Sequence, residues 1–291
     1  MSPHLLLVKG LKQVVQIVDD NVTEFLVGKE MSNIKILNSS TNSLAILVDS
    51  DGKFEYVGEL EGAEKRLKDT DSSDNGTVKL IDSNGGIAIP GFVDGHSHPV
   101  FAGDRVHEFA MKLAGATYME VQQAGGGIMF TTNKTREASE KDLRSDFEEV
   151  ARKMLRSGTT TLEAKSGYGL NVETELKMLR VLATENPSIP LEVSATFCGA
   201  HAVPKGSTES EQTHMICEEL IPLIEKEKKT GGLKNCENID VFCEKGVFEV
   251  EASQQILKRG QEAGMAVNFH AEELKYIGGV EMGAKIGDIF F

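Results

Sequence analysis

The rhythm of apolar positions changes near residue 87. Before that point the chain offers short β-prone runs: Leu5–Val8, Val14–Val18 and Leu44–Val48. Asp51-Gly52 has hairpin-turn chemistry and separates Leu44–Val48 from a second extended run, Phe54–Val57. Lys68 to Thr77 is polar and turn-rich, which predicts a loop, and Val78–Asp82 resumes extended structure. Residues 1–86 therefore read as a β-rich, non-helical segment, part of a small β-sandwich domain, with no catalytic constellation of its own.

From residue 87 onward, strand-like runs alternate with helical ones. Ile87 to Val93 predicts a buried strand, and an amphipathic stretch over Val106–Gln123 follows it, ended by Gly125-Gly126-Gly127. Ser139 and Asp142 have the spacing of a helix cap, and Leu143, Phe147, Val150, Ala151, Met154 and Leu155 then recur at helical spacing. Further strands are predicted at Thr159–Ala164, Leu191–Phe197, Ile239–Cys243 and Met265–Phe269. The helices between and after them fall at 172–185, 209–229, 251–263 and 279–285.

That is a run of five β-then-α units, and polar side chains follow the C-terminal end of every strand. Both (β/α)8 barrels and doubly wound sheets bind ligands at that edge. No Gly-x-Gly-x-x-Gly fingerprint or phosphate loop follows the first strand, whereas metal-type residues do. The fold class expected for residues 87–291 is thus α/β, an incomplete TIM-type (β/α) barrel with about five of eight units.

The candidate chemistry starts with His96 and His98, one residue apart after the first apolar run. In extended backbone, positions i and i+2 share a side, so both imidazoles can converge on one ion. His270 and Glu273 stand together at another strand end, which adds a third nitrogen ligand and a carboxylate that can shuttle a proton. His201 is a further candidate, either as ligand or as donor to a developing oxyanion, with a packed core histidine equally open. Tyr168 offers a hydroxyl or caps the core as a half-buried ring. Arg105 can bind a carboxylate, and a solvated surface arginine is its ordinary alternative. Glu244 follows a strand end and could reach the site, but a solvated loop carboxylate is its more ordinary reading. His4, His107 and His214 have no strand-end placement.

Composition narrows the partners. The formal net charge of −14 over 291 residues speaks against nucleic-acid backbones and anionic membranes, since both demand basic surface. No run of 18 apolar residues occurs, and the first residues lack a basic n-region, so neither a membrane span nor a signal peptide is expected. The four cysteines, Cys198, Cys217, Cys236 and Cys243, form no CxxC pair and read as reduced thiols in a cytoplasmic protein.

Several stretches together resemble the imidazolonepropionases, in their animal form, of the amidohydrolase superfamily. They are Pro90 to Tyr118, Gln123 to Ile128, Lys165 to Leu170, Cys198 to His201, Asn238 to Phe248 and Asn268 to Leu274. The resemblance implies hydrolysis of 4-imidazolone-5-propanoate to N-formimidoyl-L-glutamate in histidine breakdown, with one zinc or iron ion. It matches His96, His98 and His270 to metal ligands and Glu273 to the water-activating carboxylate. Arg105, Tyr168 and His201 match substrate-contacting positions, joined by Tyr118. The partner implied is a small-molecule substrate, with a homo-oligomer left open. Nothing in the chain matches the family's later His after a sixth strand or its Asp after an eighth. A second reading is therefore a truncated form that binds without turning over.

Overall fold

The computed structural model describes residues 4–17, 25–69, 78–117, 120, 126–184 and 188–287. The chain divides into two compact units, Met1–Pro90 and Gly91–Phe291.

In the first unit, strands β1 (His4–Leu11), β2 (Gln13–Gln16), β3 (Lys35–Asn38), β4 (Leu44–Asp49), β5 (Phe54–Glu59), β6 (Lys79–Asp82) and β7 (Ile87–Ala88) build two small sheets. Their orders are β5-β4-β1-β6 and β3-β2-β7. β4 is the pivot because both of its faces are apolar. Leu44, Ile46 and Val48 pack with Leu11 and Val14, while Ala45 and Leu47 pack with Leu7 and Ala63. Ala63 lies on helix α1, Leu60–Asp69, which corrects the expectation of a non-helical segment. Leu60, Ala63 and Leu67 recur at helical spacing, and together they cover the second face of β4. The expected loop from Lys68 to Thr77 falls mostly outside the described residues.

The second unit holds β8 (Phe92–Ser97), β9 (Thr159–Lys165), β10 (Glu192–Ala200), β11 (Cys236–Cys243), β12 (Ala266–Val267) and β13 (His270–Ala271). All pair in parallel, in the spatial order β12-β11-β10-β9-β8, with β13 also against β11. Each strand lies beside its predecessor in sequence, without the reversal of a doubly wound sheet, and the sheet curls into a half-barrel.

Helices fill the connections: α2 (Val106–Leu113), α3 (Ile128–Glu137), α4 (Glu140–Arg156), α5 (Val172–Ala183), α6 (Glu209–His214), α7 (Ile221–Lys229), α8 (Val250–Glu262) and α9 (Gly279–Ile286). α6 continues into α7 through one π-helical stretch, Met215–Leu220. Ser139 caps α4, its Oγ accepting from Asp142 N at 3.1 Å, and Leu143, Phe147 and Ala151 form the buried face of that helix.

The run Ile87–Val93 is not one buried strand. β7 pairs with β2 in the first unit and β8 with β9 in the second. Pro90 cannot donate to a ladder, and it separates the two. Phe92 and Val93 are 54% and 71% exposed. His96 consequently lies within β8 rather than beyond it. The amphipathic stretch after it is helical over Val106–Leu113, and Tyr118 and residues 121–125 fall outside the described residues. All four cysteines are free and buried. No helix among the described residues is long and apolar enough to cross a membrane.

Candidate metal centre

The candidate residues gather at the C-terminal ends of consecutive parallel strands. β8 brings His96, and His98 follows it by one residue. The loop after β9 carries Tyr168, β10 runs to Ala200 just before His201, and β13 begins at His270. Extended backbone puts His96 and His98 on one side, as their spacing implies.

Ligand atoms of His96, His270 and Asp240 all lie within 4.8 Å of one another. The rings of His96 and His270 are 4.8 Å apart between centroids, and those of His96 and His98 are 5.6 Å apart. His98 stacks on His201 at 4.6 Å with the planes 13° apart. Tyr168 leans on both rings, at 5.3 and 5.5 Å. Glu273 is exposed, three residues beyond His270. Arg105 is also exposed; its Nε donates to Thr131 Oγ1 at 3.1 Å and its Nη1 stands 3.7 Å from the Glu108 carboxylate.

Three of these imidazoles use Nδ1 to bond back into the protein. His98 Nδ1 meets the Ser166 carbonyl at 2.7 Å, His201 Nδ1 the Gly167 carbonyl at 2.9 Å, and His270 Nδ1 the Asp240 Oδ1 at 3.1 Å. Each of these partners is an acceptor, so Nδ1 carries the hydrogen and Nε2 is left with the lone pair. That is the tautomer in which a histidine binds a metal through Nε2, and the donor set fits a divalent ion.

The electrostatics agree. Burial pushes the His98 imidazole down to about 3, with His201 adding to the effect. Burial also lowers His96 and His201, with Lys165 reinforcing the effect at His96. His270 goes the other way because Asp240 accepts its hydrogen bond.

The sequence reading missed Asp240 and the ion pairs behind it. Asp240 is 1% exposed, and its Oδ2 lies 2.7 Å from Lys165 Nζ. Lys165, 2% exposed, also lies 2.7 Å from Glu163 Oε1. Burial pulls the Lys165 ammonium down, but the two carboxylates outweigh it and hold it above the ordinary lysine value. Burial likewise pushes Asp240 up, and the His270 hydrogen bond and Lys165 bring it below the ordinary range. One signal was available: Asp240 interrupts the apolar run Ile239–Cys243, and an acid inside such a strand needs a partner. Glu244 is a correction. It is buried, and its carboxylate accepts from Leu274 N at 2.9 Å, Lys275 N at 3.1 Å and Lys245 N at 3.0 Å, which ties down the loop that carries Glu273.

A probable imidazolonepropionase of Nematostella vectensis is 47% identical over 283 residues, covering 97% of this chain and 64% of that protein. The probable imidazolonepropionase of Mus musculus is 44% identical over 286 residues, covering 98% and 65%. The chain is a homologue of these probable imidazolonepropionases. It spans somewhat less than two thirds of their length. No protein-family model matches it. Among solved structures, an ochratoxinase of A. niger shares the fold with a TM-score of 0.52 at 11% identity, over 98% of this chain and 59% of that one. A guanine deaminase of C. acetobutylicum does so with a TM-score of 0.50 at 16% identity, over 98% and 57%. Both likenesses concern the fold alone, and the kinship to imidazolonepropionases rests on the sequence identity.

Proposed function

We propose that this chain carries the metal-binding half of a hydrolase site that opens the ring of 4-imidazolone-5-propanoate to N-formimidoyl-L-glutamate. The observation that carries the reading is the convergence of His96 and His270, with His98 beside them, at the C-terminal edge of sequentially ordered parallel strands. In this reading His96, His98 and His270 hold one zinc or iron ion, and Asp240 stands behind His270 and fixes its ring. A divalent ion at such a site supplies Lewis acidity and lowers the pKa of bound water.

The chain's own residues account for the rest. Hydrolysis adds one water across the ring C–N bond: the carbonyl carbon gains the hydroxyl, and the departing ring nitrogen gains the proton. Glu273, on the loop that Glu244 ties down, takes the proton from water and returns it to that nitrogen. Tyr168, beside His98, donates to the carbonyl oxygen as charge develops there, and His201, stacked on His98, turns its Nε2 lone pair to a ring N–H of the substrate. Arg105 keeps part of its guanidinium exposed beyond Glu108 and binds the propanoate carboxylate. An acidic chain with a local arginine suits that substrate. A small-molecule partner and a cytoplasmic setting complete the proposal.

The test is loss of imidazolonepropionate absorbance on adding the purified chain with zinc or iron. Turnover that chelator removes and metal restores is the expected result. Glu273→Gln should bind metal as the parent does yet turn over more slowly by about 100-fold or more, in line with loss of a positioned acid-base group. Turnover that survives Glu273→Gln would remove the role given to that carboxylate.

A further inference from the structure

The loop 166–170 leads from β9 toward α5, and its backbone groups are held from several sides. Two carbonyls face the candidate site: Ser166 O holds His98 Nδ1 at 2.7 Å and Gly167 O holds His201 Nδ1 at 2.9 Å. The N–H groups of Gly167, Gly169 and Leu170 converge instead on one carboxylate. Glu175 Oε2 accepts from Gly167 N at 3.1 Å, and Glu175 Oε1 accepts from Gly169 N at 2.7 Å and Leu170 N at 2.8 Å. From outside, Arg136 on α3 closes the arrangement, its Nε donating to Gly169 O at 2.7 Å and its Nη2 to Leu170 O at 3.1 Å.

This loop needs such restraint. Leu170 sits at φ +52°, a conformation that an L side chain rarely adopts unless its surroundings impose it, whereas Gly167 takes φ +110° without a Cβ clash. The approach of loop to helix is also close, since a Cβ on Gly169 would lie 2.6 Å from Glu175 N. Glu175 is 0% exposed, although it belongs to the first turn of α5. A first-turn carboxylate ordinarily faces water or caps its own helix; here it turns both oxygens to the preceding loop.

We propose that Glu175 is a positioning residue for the candidate site: its carboxylate, backed by Arg136, sets the two loop carbonyls that hold His98 and His201 with Nε2 toward the centre. The inference rests on the proposed metal reading only for the purpose of those Nε2 atoms; the geometry of the two rings stands apart from it.

The experiment uses the full chain and Glu175→Gln. Glutamine keeps one acceptor oxygen but replaces the other with an NH2 group, which cannot receive Gly167 N–H. The first readout is 15N imidazole NMR without metal. In the parent, His98 and His201 should both show the Nδ1–H tautomer; in Glu175→Gln, His201 and then His98 should become tautomer mixtures. The second readout is affinity for Zn2+ alone, by competition with a chromophoric chelator, expected to fall about 10- to 100-fold in the folded variant. Arg136→Gln, at the outer side of the loop, should move both readouts in the same direction by less. It keeps the test decisive where Glu175→Gln fails to fold.

Unchanged tautomers in the folded variants would overturn the proposal, as would Nε2–H rings in the parent. Failure of the parent to bind Zn2+, together with tautomers that shift in the variants, would overturn the metal reading and uphold the positioning role. A stability loss that leaves tautomers and Zn2+ affinity untouched would reduce Glu175 to a structural residue.

Discussion

Lys165→Met is the most demanding test of how the half-barrel is held together. The ammonium is 2% exposed and lies 2.7 Å from each of two carboxylates, one of them 1% exposed. Methionine keeps most of the volume and deletes the charge, so packing changes little, and a buried Asp240 and a part-buried Glu163 are left without the ammonium. Removing one partner of a buried ion pair is destabilising by about 3–5 kcal/mol, because the charge left behind is neither solvated nor compensated. Each kcal/mol moves the melting point of a unit this size by about 2–4 °C, so a fall of roughly 6–20 °C is expected. Thermal unfolding of the metal-free chain, followed by far-ultraviolet circular dichroism, measures it. The double variant Lys165→Met with Asp240→Asn removes one of the orphaned charges as well and should recover at least about 1 kcal/mol relative to Lys165→Met alone, since neighbours in one network are not additive. A Lys165→Met loss below about 1 kcal/mol, or a double variant whose loss equals or exceeds the sum of the two single losses, would refute the view that this triad is a tightly coupled buried network.

Other consequences are open to measurement. In the metal-free chain, His98 should make folding weaken as pH falls from about 6.5 toward 3. The unfolded ring takes a proton near the ordinary value while the folded ring resists until about 3, so its contribution is whole above that window and declines within it, by at most about 1.4 kcal/mol per pH unit. His98→Gln should flatten that part of the stability profile in urea titrations at stepped pH, and an unchanged slope would count against the buried neutral ring. Ser139→Ala removes the side-chain oxygen that receives Asp142 N and should lower stability by about 1 kcal/mol in the same titrations, without altering Zn2+ affinity.

Much of the site was legible because its signals are local. His96 and His98 declare themselves by a two-residue spacing, and His270 and Glu273 by following an apolar run. The helix Glu140–Arg156 announced itself by the Ser139 cap and by the apolar spacing of Leu143, Phe147 and Ala151. What escaped were groups whose meaning depends on distant neighbours. Lys165 is in the sequence only the first residue of the stretch to Leu170, and its role shows once Asp240, two strands away, is found 2.7 Å from it. Glu244 reads as solvated until the backbone of residues 274 and 275 folds onto it. Helix α1 was overlooked because a ten-residue amphipathic stretch among strands is recognised only once β4 is seen to need cover on its second face.

Sequence alone therefore determined the alternation of strand and helix, the edge of the sheet that bears chemistry, and the histidines that gather there. Those follow from backbone periodicity and side-chain type, which are properties of neighbouring residues. Only the tertiary structure decided that the apolar run at Ile87–Val93 is shared between two units and that Asp240 rather than solvent faces His270. The same holds for the histidine tautomers. Each depends on which groups water has left, and burial is settled by packing between segments far apart in the chain.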